Sequence, residues 1–335
     1  MICVTNSELG KEAQMNKIDN MAAGDQTAVC SPKAPKMKKK VSKIERKEHL
    51  IAFLFILPPI IGFLVFTAIS MGFTFVFSFQ NYYVRRGESE FVGFQHYISL
   101  FSGMFTTGEL GNAFIKSVGN TIFLLLSLPI SIAFGLLLAG LLRLGNVKGS
   151  KIFQILYYLP AVSSAVALNI VWRYIFQSNG LLNNIFHAST PWLSDDMLIK
   201  VAIIIKNSLN AMGGAMILYL AGMLNVPKDL YEASSLDGAG KVRQFFSITL
   251  PMITPVTFYL LITGLIGGLQ SYADSQVFAK GDSGAATIVF FIWQQRTNGA
   301  AGYGIASSAS ILLSVGIMII TLIQFKVSNK WVYEE

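Results

Sequence analysis

Six long apolar segments separated by polar ones dominate the chain. They run from about Leu50 to Phe79, Ala113 to Leu142, Ile152 to Phe176, Leu198 to Leu224, Met252 to Tyr272 and Tyr303 to Phe325. At ~1.5 Å rise per residue each is long enough as a helix to cross a hydrocarbon core ~30 Å thick. Their apolar residues are continuous rather than alternating, which favours helices over the strands of a barrel. The pattern predicts an all-α membrane protein with six transmembrane helices. Pro58, Pro59, Pro129 and Pro160 fall inside these segments, where neighbouring groups can re-satisfy a freed carbonyl.

Among the polar interruptions, Tyr231 to Pro251 has the clearest internal order. Pro227 suits a first helical turn, and Asp229 and Glu232 sit near that helix's positive end. Gly238 or Gly240 supplies the left-handed position that ends it. A second short helix is expected from Lys241, carrying Phe245, Phe246 and Ile248, before Leu250-Pro251 turns the chain into span five. The small residues Ala233, Ser234 and Ser235 permit close approach by another backbone. From spacing alone two readings stand level: a docking element for a cytosolic protein, or an amphipathic connector lying on the membrane.

Composition supports the membrane assignment. Of 335 residues, 53% are hydrophobic and 13% charged, with mean hydropathy +0.54; soluble domains carry roughly 25% charged residues. The net charge of +8 would also suit a nucleic-acid binder, but ten of the 26 Lys and Arg precede His49. That placement is a basic flank beside the first span, facing lipid headgroups, and nucleic acid is not an expected partner. Residues 1–48 are expected to form a disordered, basic cytoplasmic tail, and 49–335 the transmembrane domain. Residues 1–36 lack aromatics, and Met37 reads as an alternative translation start. Cys3 and Cys30, both in the tail, make no disulfide framework, and no metal-ligand spacing occurs.

Orientation follows from the basic residues. With both termini inside, the cytoplasmic segments hold eighteen Lys and Arg against eight elsewhere. This places both termini and the loop 226–251 in the cytoplasm. The segments 80–112, 177–197 and 273–302 then lie outside, and Tyr82, Tyr83, Trp172 and Trp331 read as an interfacial aromatic belt.

Glu232-Ala233-Ser234, then Gly238, then Ile248-Thr249-Leu250-Pro251 at the matching spacing resembles the EAA loop of importer-type ABC transporter permeases. Ser234 stands where that family usually has Ala. Asp237-Gly238-Ala239 and the Ile248 to Pro251 run are similar to the carbohydrate, maltose-type branch. Leu57-Pro58-Pro59, Phe91-Val92-Gly93, Asn120-Thr121, Tyr158-Leu159-Pro160, Trp172-Arg173, Gly180-Leu181 and Gly302-Tyr303-Gly304 agree, so the resemblance runs from about residue 50 to the end. It implies a six-span importer subunit of the cell membrane that moves a sugar by alternating access. The implied partners are a second permease, cytoplasmic ATP-binding subunits and an extracellular solute-binding protein. It also implies that Glu232, Ala233, Ser234, Asp237, Gly238, Ile248, Leu250 and Pro251 form the coupling contact, with Glu232 touching the ATPase and Gly238 making the turn. The chain has no GxxxxGK[ST] motif, so ATP and Mg are expected on the partner and no cofactor here. An importer of glycerol phosphate or an amino acid is the nearest alternative. A membrane-embedded enzyme would need a convergent acid, base or metal set, and the sequence shows none.

Span four carries Lys206, Asn207, Asn210, Gly213 and Gly214. Positions 207, 210 and 214 share a helical face. The amides suit sugar hydroxyls along a pathway, or serve as glue between helices. Lys206, for which the family often has a Trp-basic pair and this chain Ile205-Lys206, has two readings. It snorkels outward, or it attracts an anionic saccharide such as a uronate oligomer. Gln270, Ser271, Asp274 and Gln276 either line an outer vestibule or mark the interface, and Gly264, Gly267 and Gly268 allow close helix packing.

Overall fold

A computed structural model of the chain describes residues 43–83, 88–105, 108–144, 149–278, 284–299 and 301–332. The tail before residue 43, with its expected disorder and alternative start, lies outside the described residues. Two compact units divide the chain, Met1–Ile61 and Gly62–Glu335. In the first, α1 (Lys43–Gly62) begins inside the segment expected to be an unstructured tail and contains Pro58 and Pro59. Its side chains Phe53, Leu54 and Phe55 are exposed, the surface a helix offers to lipid.

The second unit opens with a π-wound turn, Phe63–Ala68, and α2 (Ile69–Phe77), in which no residue is buried. An antiparallel hairpin follows, β1 (Gln80–Tyr83) and β2 (Glu88–Phe91), with Gln80 opposite Phe91. It departs from the all-α pattern because QNYY and ESEF mix aromatic and polar side chains, which suit a pleated pair better than a buried helix. α3 (Gln95–Phe105) comes next. Its His96 is buried and lies 3.3 Å from the Gln80 carbonyl; burial holds the imidazole below the ordinary histidine range, so the neutral ring donates that bond.

The helices α4 (Glu109–Leu124) and α5 (Ser127–Leu144) together form one span, and Pro129 falls in the first turn of α5, where its missing N–H costs nothing. The third span, expected as one segment with Pro160 inside it, is broken. α6 (Ser150–Val162) and α7 (Ala165–Ile175) meet at a bend of 102°. Ser163 is extended there (φ −83°, ψ 157°) three residues after Pro160, and its hydroxyl donates to the Leu159 carbonyl at 2.8 Å. A short α8 (Leu181–Phe186) leads to α9 (Asp196–Leu224). Beyond it lie α10 (Lys228–Leu236), α11 (Lys241–Gln244), a π-wound Phe245–Thr249 and α12 (Leu250–Met252). The Lys241–Met252 segment bends by 58° into α13 (Thr254–Leu269). Four helices are long and apolar enough to cross a membrane alone, and up to six spans result if each bent pair counts as one, among the described residues.

The segment 273–302, expected to be a loop, holds α14 (Ala273–Phe278) and α15 (Ile288–Gln295). Ile288, Phe290 and Phe291 are buried, so one face of IVFFIW is core while Trp293 is exposed. Polar side chains pin this segment. Asn120 Nδ2 donates to the Ala286 carbonyl at 3.0 Å, Thr121 Oγ1 accepts from the Ile288 amide at 2.9 Å, and Thr287 Oγ1 donates to the Ser271 carbonyl at 2.7 Å. α16 (Gly302–Ser328) closes the fold and packs on α2, α3 and α15.

At the centre is α9. Asp195 caps it, its carboxylate accepting the amides of Met197 and Leu198 at 2.8 Å each, as the positive end of a helix favours. One half of α9 gives Ile199, Ala202 and Ile203 to an apolar cluster with Phe176, Phe278 and Phe290. The other half gives Met216, Tyr219 and Met223 to a cluster with Ile132 and Ile253. Gly213 lets the backbone carbonyl of Tyr157 on α6 approach where a Cβ would sit. Gly213→Ala is therefore expected to push α6 and α9 apart. We expect a loss of about 2–3 kcal/mol, the upper end for overpacking, read as a lower thermal midpoint of the purified protein; an unchanged midpoint would show that the contact yields freely.

Candidate functional site

The breaks in the spans leave polar groups exposed to a common space. A cavity of about 540 Å³ opens between the α4–α5 join, the α6–α7 bend, one face of α9 and the side of α13. Asn207, Asn210 and Gly214 all line it, as their shared face predicted, together with Ser127, Ser131, Ser163, Asn169, Ser271 and Asp274. Gly264 and Gly268 admit the side chains of Leu128 and Leu125 at close range, which is packing as expected, whereas Gly267 has open space and faces the cavity.

Lys206 does not snorkel. It is 2% exposed and its ammonium pairs with the Asp274 carboxylate. Nζ also donates to Asn169 Oδ1 at 2.7 Å and stands 5.7 Å from the centre of the Phe278 ring. The carboxylate is shared out in turn. Asn169 Nδ2 donates to Asp274 Oδ1 at 3.1 Å, Asn207 Nδ2 to Oδ2 at 2.8 Å, and Ser271 Oγ to Oδ2 at 3.4 Å. The outward reading failed because it considered the lysine stem alone. The fold brings an anion from α14 and an amide from α7 within reach, and a paired charge is retained in the interior where an unpaired one is expelled.

Two further expectations are corrected. Trp172 is not a belt residue: its indole N–H donates to Asn210 Oδ1 at 3.1 Å, and its ring stacks on buried Phe176. Gln270, the residue after α13, and Gln276 are exposed and do not line the cavity, so only Ser271 and Asp274 of that group belong to it. Sequence reasoning missed Asn169. An amide inside the apolar run Val166 to Trp172 was the available signal, since intramembrane polar groups seek partners.

The loop after α9 is two short helices joined at Gly238, whose φ of +77° is the left-handed turn only glycine takes freely. Glu232, Ala233 and Asp237 are exposed, and so is Leu236, at 91%. Leu236 is thus an exposed apolar tip close to two carboxylates, which the sequence did not single out. Ser234 and Ser235 are used within the loop: Gln244 Nε2 lies 2.9 Å and 2.8 Å from their hydroxyls. Tyr231 Oη and Thr249 Oγ1 share a hydrogen bond of 2.8 Å. Ile248 and Leu250 pack against the cluster that holds Met223 and Ile253, while Pro251 is exposed at the start of α12. Tyr219 Oη and Thr257 Oγ1, 3.0 Å apart, then join α9 to α13. The loop is thus in direct contact with two helices that line the cavity.

Known proteins show the same architecture. The family of binding-protein-dependent transport system inner membrane components matches residues 131–332. The probable ABC transporter permease protein YesP of Bacillus subtilis is 32% identical, over 88% of this chain and 96% of its own. The arabinooligosaccharides transport system permease protein AraP of the same organism is also 32% identical, over 83% of this chain and 88% of its own. A crystal structure of a bacterial ABC transporter involved in import of the acidic polysaccharide alginate contains a chain that superposes with TM-score 0.73 at 25% identity, covering 86% of this chain and 98% of that one.

Proposed function

Because the chain belongs to the family of binding-protein-dependent transport system inner membrane components, we propose that it is the permease subunit through which an ATP-driven importer moves a sugar or oligosaccharide. It is a multi-pass protein of the cell membrane and a transport component rather than an enzyme. The observation that carries the sugar reading is the cavity itself, whose largely apolar wall is interrupted by amides and hydroxyls from several helices. Two relatives with substrates in their names, for arabinooligosaccharides and for lactose, support it.

In this reading a second permease closes the far side of the cavity, an extracellular binding protein delivers the sugar, and cytoplasmic subunits hydrolyse ATP with Mg. The distribution of Lys and Arg supports both termini and the loop 226–251 facing the cytoplasm. Glu232 and Leu236 meet the ATPase; its closure moves the loop, and α9 and α13 follow through Tyr219, Thr257 and the packing of Leu250. ATP and the loaded binding protein act by favouring one of two conformations, since only differential affinity can shift an equilibrium. Asn207, Asn210 and Gly214 present the path to the sugar.

The test is transport by the complete complex reconstituted in vesicles with its binding protein and ATP. Uptake of a labelled oligosaccharide is the expected result. Uptake of an amino acid or glycerol phosphate with no saccharide transported would overturn the proposal.

A further inference from the structure

The cavity contains two ionised groups, and they cancel. Among its lining residues only Lys206 and Asp274 are charged, and they are paired with each other. Each is held by further partners: Lys206 donates a second bond to Asn169, and Asp274 accepts from Asn169, Asn207 and Ser271. A substrate therefore meets no uncompensated cation on this wall, although the sequence places a lysine there. We infer that Asp274 is a specificity-determining residue, which by neutralising Lys206 makes this half of the pathway admit uncharged saccharides and disfavour uronates. The inference rests on the saccharide reading above.

The physical argument is one of desolvation. A carboxylated sugar must leave water to enter, and it is compensated only if a cation is available to it. Lys206 becomes available only if Asp274 lets go, which leaves a buried carboxylate without its partner. A neutral sugar exchanges hydroxyl–water bonds for bonds to amides and displaces nothing. The amides are oriented for that exchange. The Asn207 NH2 is turned toward Asp274, which can only accept, and Asn210 Oδ1 toward the Trp172 indole, which can only donate. Asn207 Oδ1 and Asn210 Nδ2 are left without a partner among the described residues, one acceptor and one donor on the same helical face. A hydroxyl can satisfy either, whereas a carboxylate, which only accepts, can use Asn210 alone.

The experiment is direct binding to the purified permease–ATPase complex without its binding protein, so that the path's own preference is read. The probes are arabinotriose and maltotriose against trigalacturonate and triguluronate, followed by tryptophan fluorescence, for which Trp172 is a reporter beside Asn210. At least one neutral trisaccharide is expected to bind about tenfold or more tightly than either uronate, the effect of one unmatched polar contact. Asp274→Asn is expected to shift the ratio of uronate to neutral affinity about tenfold toward the uronates, both measured on the same preparation. Should that variant not assemble, Gly214→Lys adds a cation at a cavity position whose Cβ would meet nothing within 4 Å, and it is expected to shift the preference the same way. Wild-type protein that binds a uronate as well as the neutral sugars overturns the inference and leaves the importer reading intact. So do assembled variants whose preference is unmoved. Failure of all four probes to bind removes the saccharide reading itself.

Discussion

Lys206→Met is expected to yield little folded protein, whereas Lys206→Met/Asp274→Leu is expected to recover most of it. The single change leaves the Asp274 carboxylate 7% exposed and without its cation, and breaking one partner of a buried pair costs about 3–5 kcal/mol. Against a total stability of roughly 5–15 kcal/mol this is a large fraction. The double change removes both charges, so that no ion is left buried alone, and replacing a buried pair by apolar groups is often neutral. The measurement is yield and thermal midpoint in detergent for the wild type, both single variants and the double. A Lys206→Met midpoint equal to wild type would mean that the pair is solvated and that the charge argument for the cavity fails with it.

Glu232→Ala is expected to uncouple hydrolysis from transport. Glu232 is exposed and forms no ion pair among the described residues, so its removal disturbs nothing within the loop. Gly238 keeps the turn, and Tyr231–Thr249 and Gln244 keep the two short helices together. What is lost, under the proposed function, is the interaction with the ATPase. Coupling energies of about 1–3 kcal/mol correspond to roughly 5–150-fold, so uptake in reconstituted vesicles should fall within that range while the complex still hydrolyses ATP. Full retention of uptake would remove Glu232 from the coupling contact.

The loop and the spans differ in how far they were legible. Gly238 and the second helix from Lys241 were readable because each rests on local chemistry, a left-handed φ and a helix start, whereas the turn expected at Leu250-Pro251 falls at Ile253, after a helical Leu250–Met252. The bend in span three was foreshadowed by Pro160, but its 102° was not, since proline in a membrane helix is compatible with a mild kink as well as a break. α15 was misread as loop because the Gly, Ala and Ser around IVFFIW outweighed a run too short to span a membrane.

The polar residues of the pathway divide the same way. The 207, 210 and 214 face follows from helical period alone, and the structure turns it to the cavity. The partner of Lys206 is 68 positions away at Asp274, and no periodicity relates the two. Trp172 and Asn210 meet across the same kind of gap.

By itself, then, the sequence determined the apolar spans, the side on which basic residues gather and the grammar of the loop, because helix formation and burial in lipid depend on neighbours along the chain. Tertiary structure alone decided that Lys206 is neutralised, that Trp172 belongs to the core and that the cavity carries no net charge. Those outcomes depend on which side chains from distant segments share one dry space, where an ion is stable only with its counter-ion in contact.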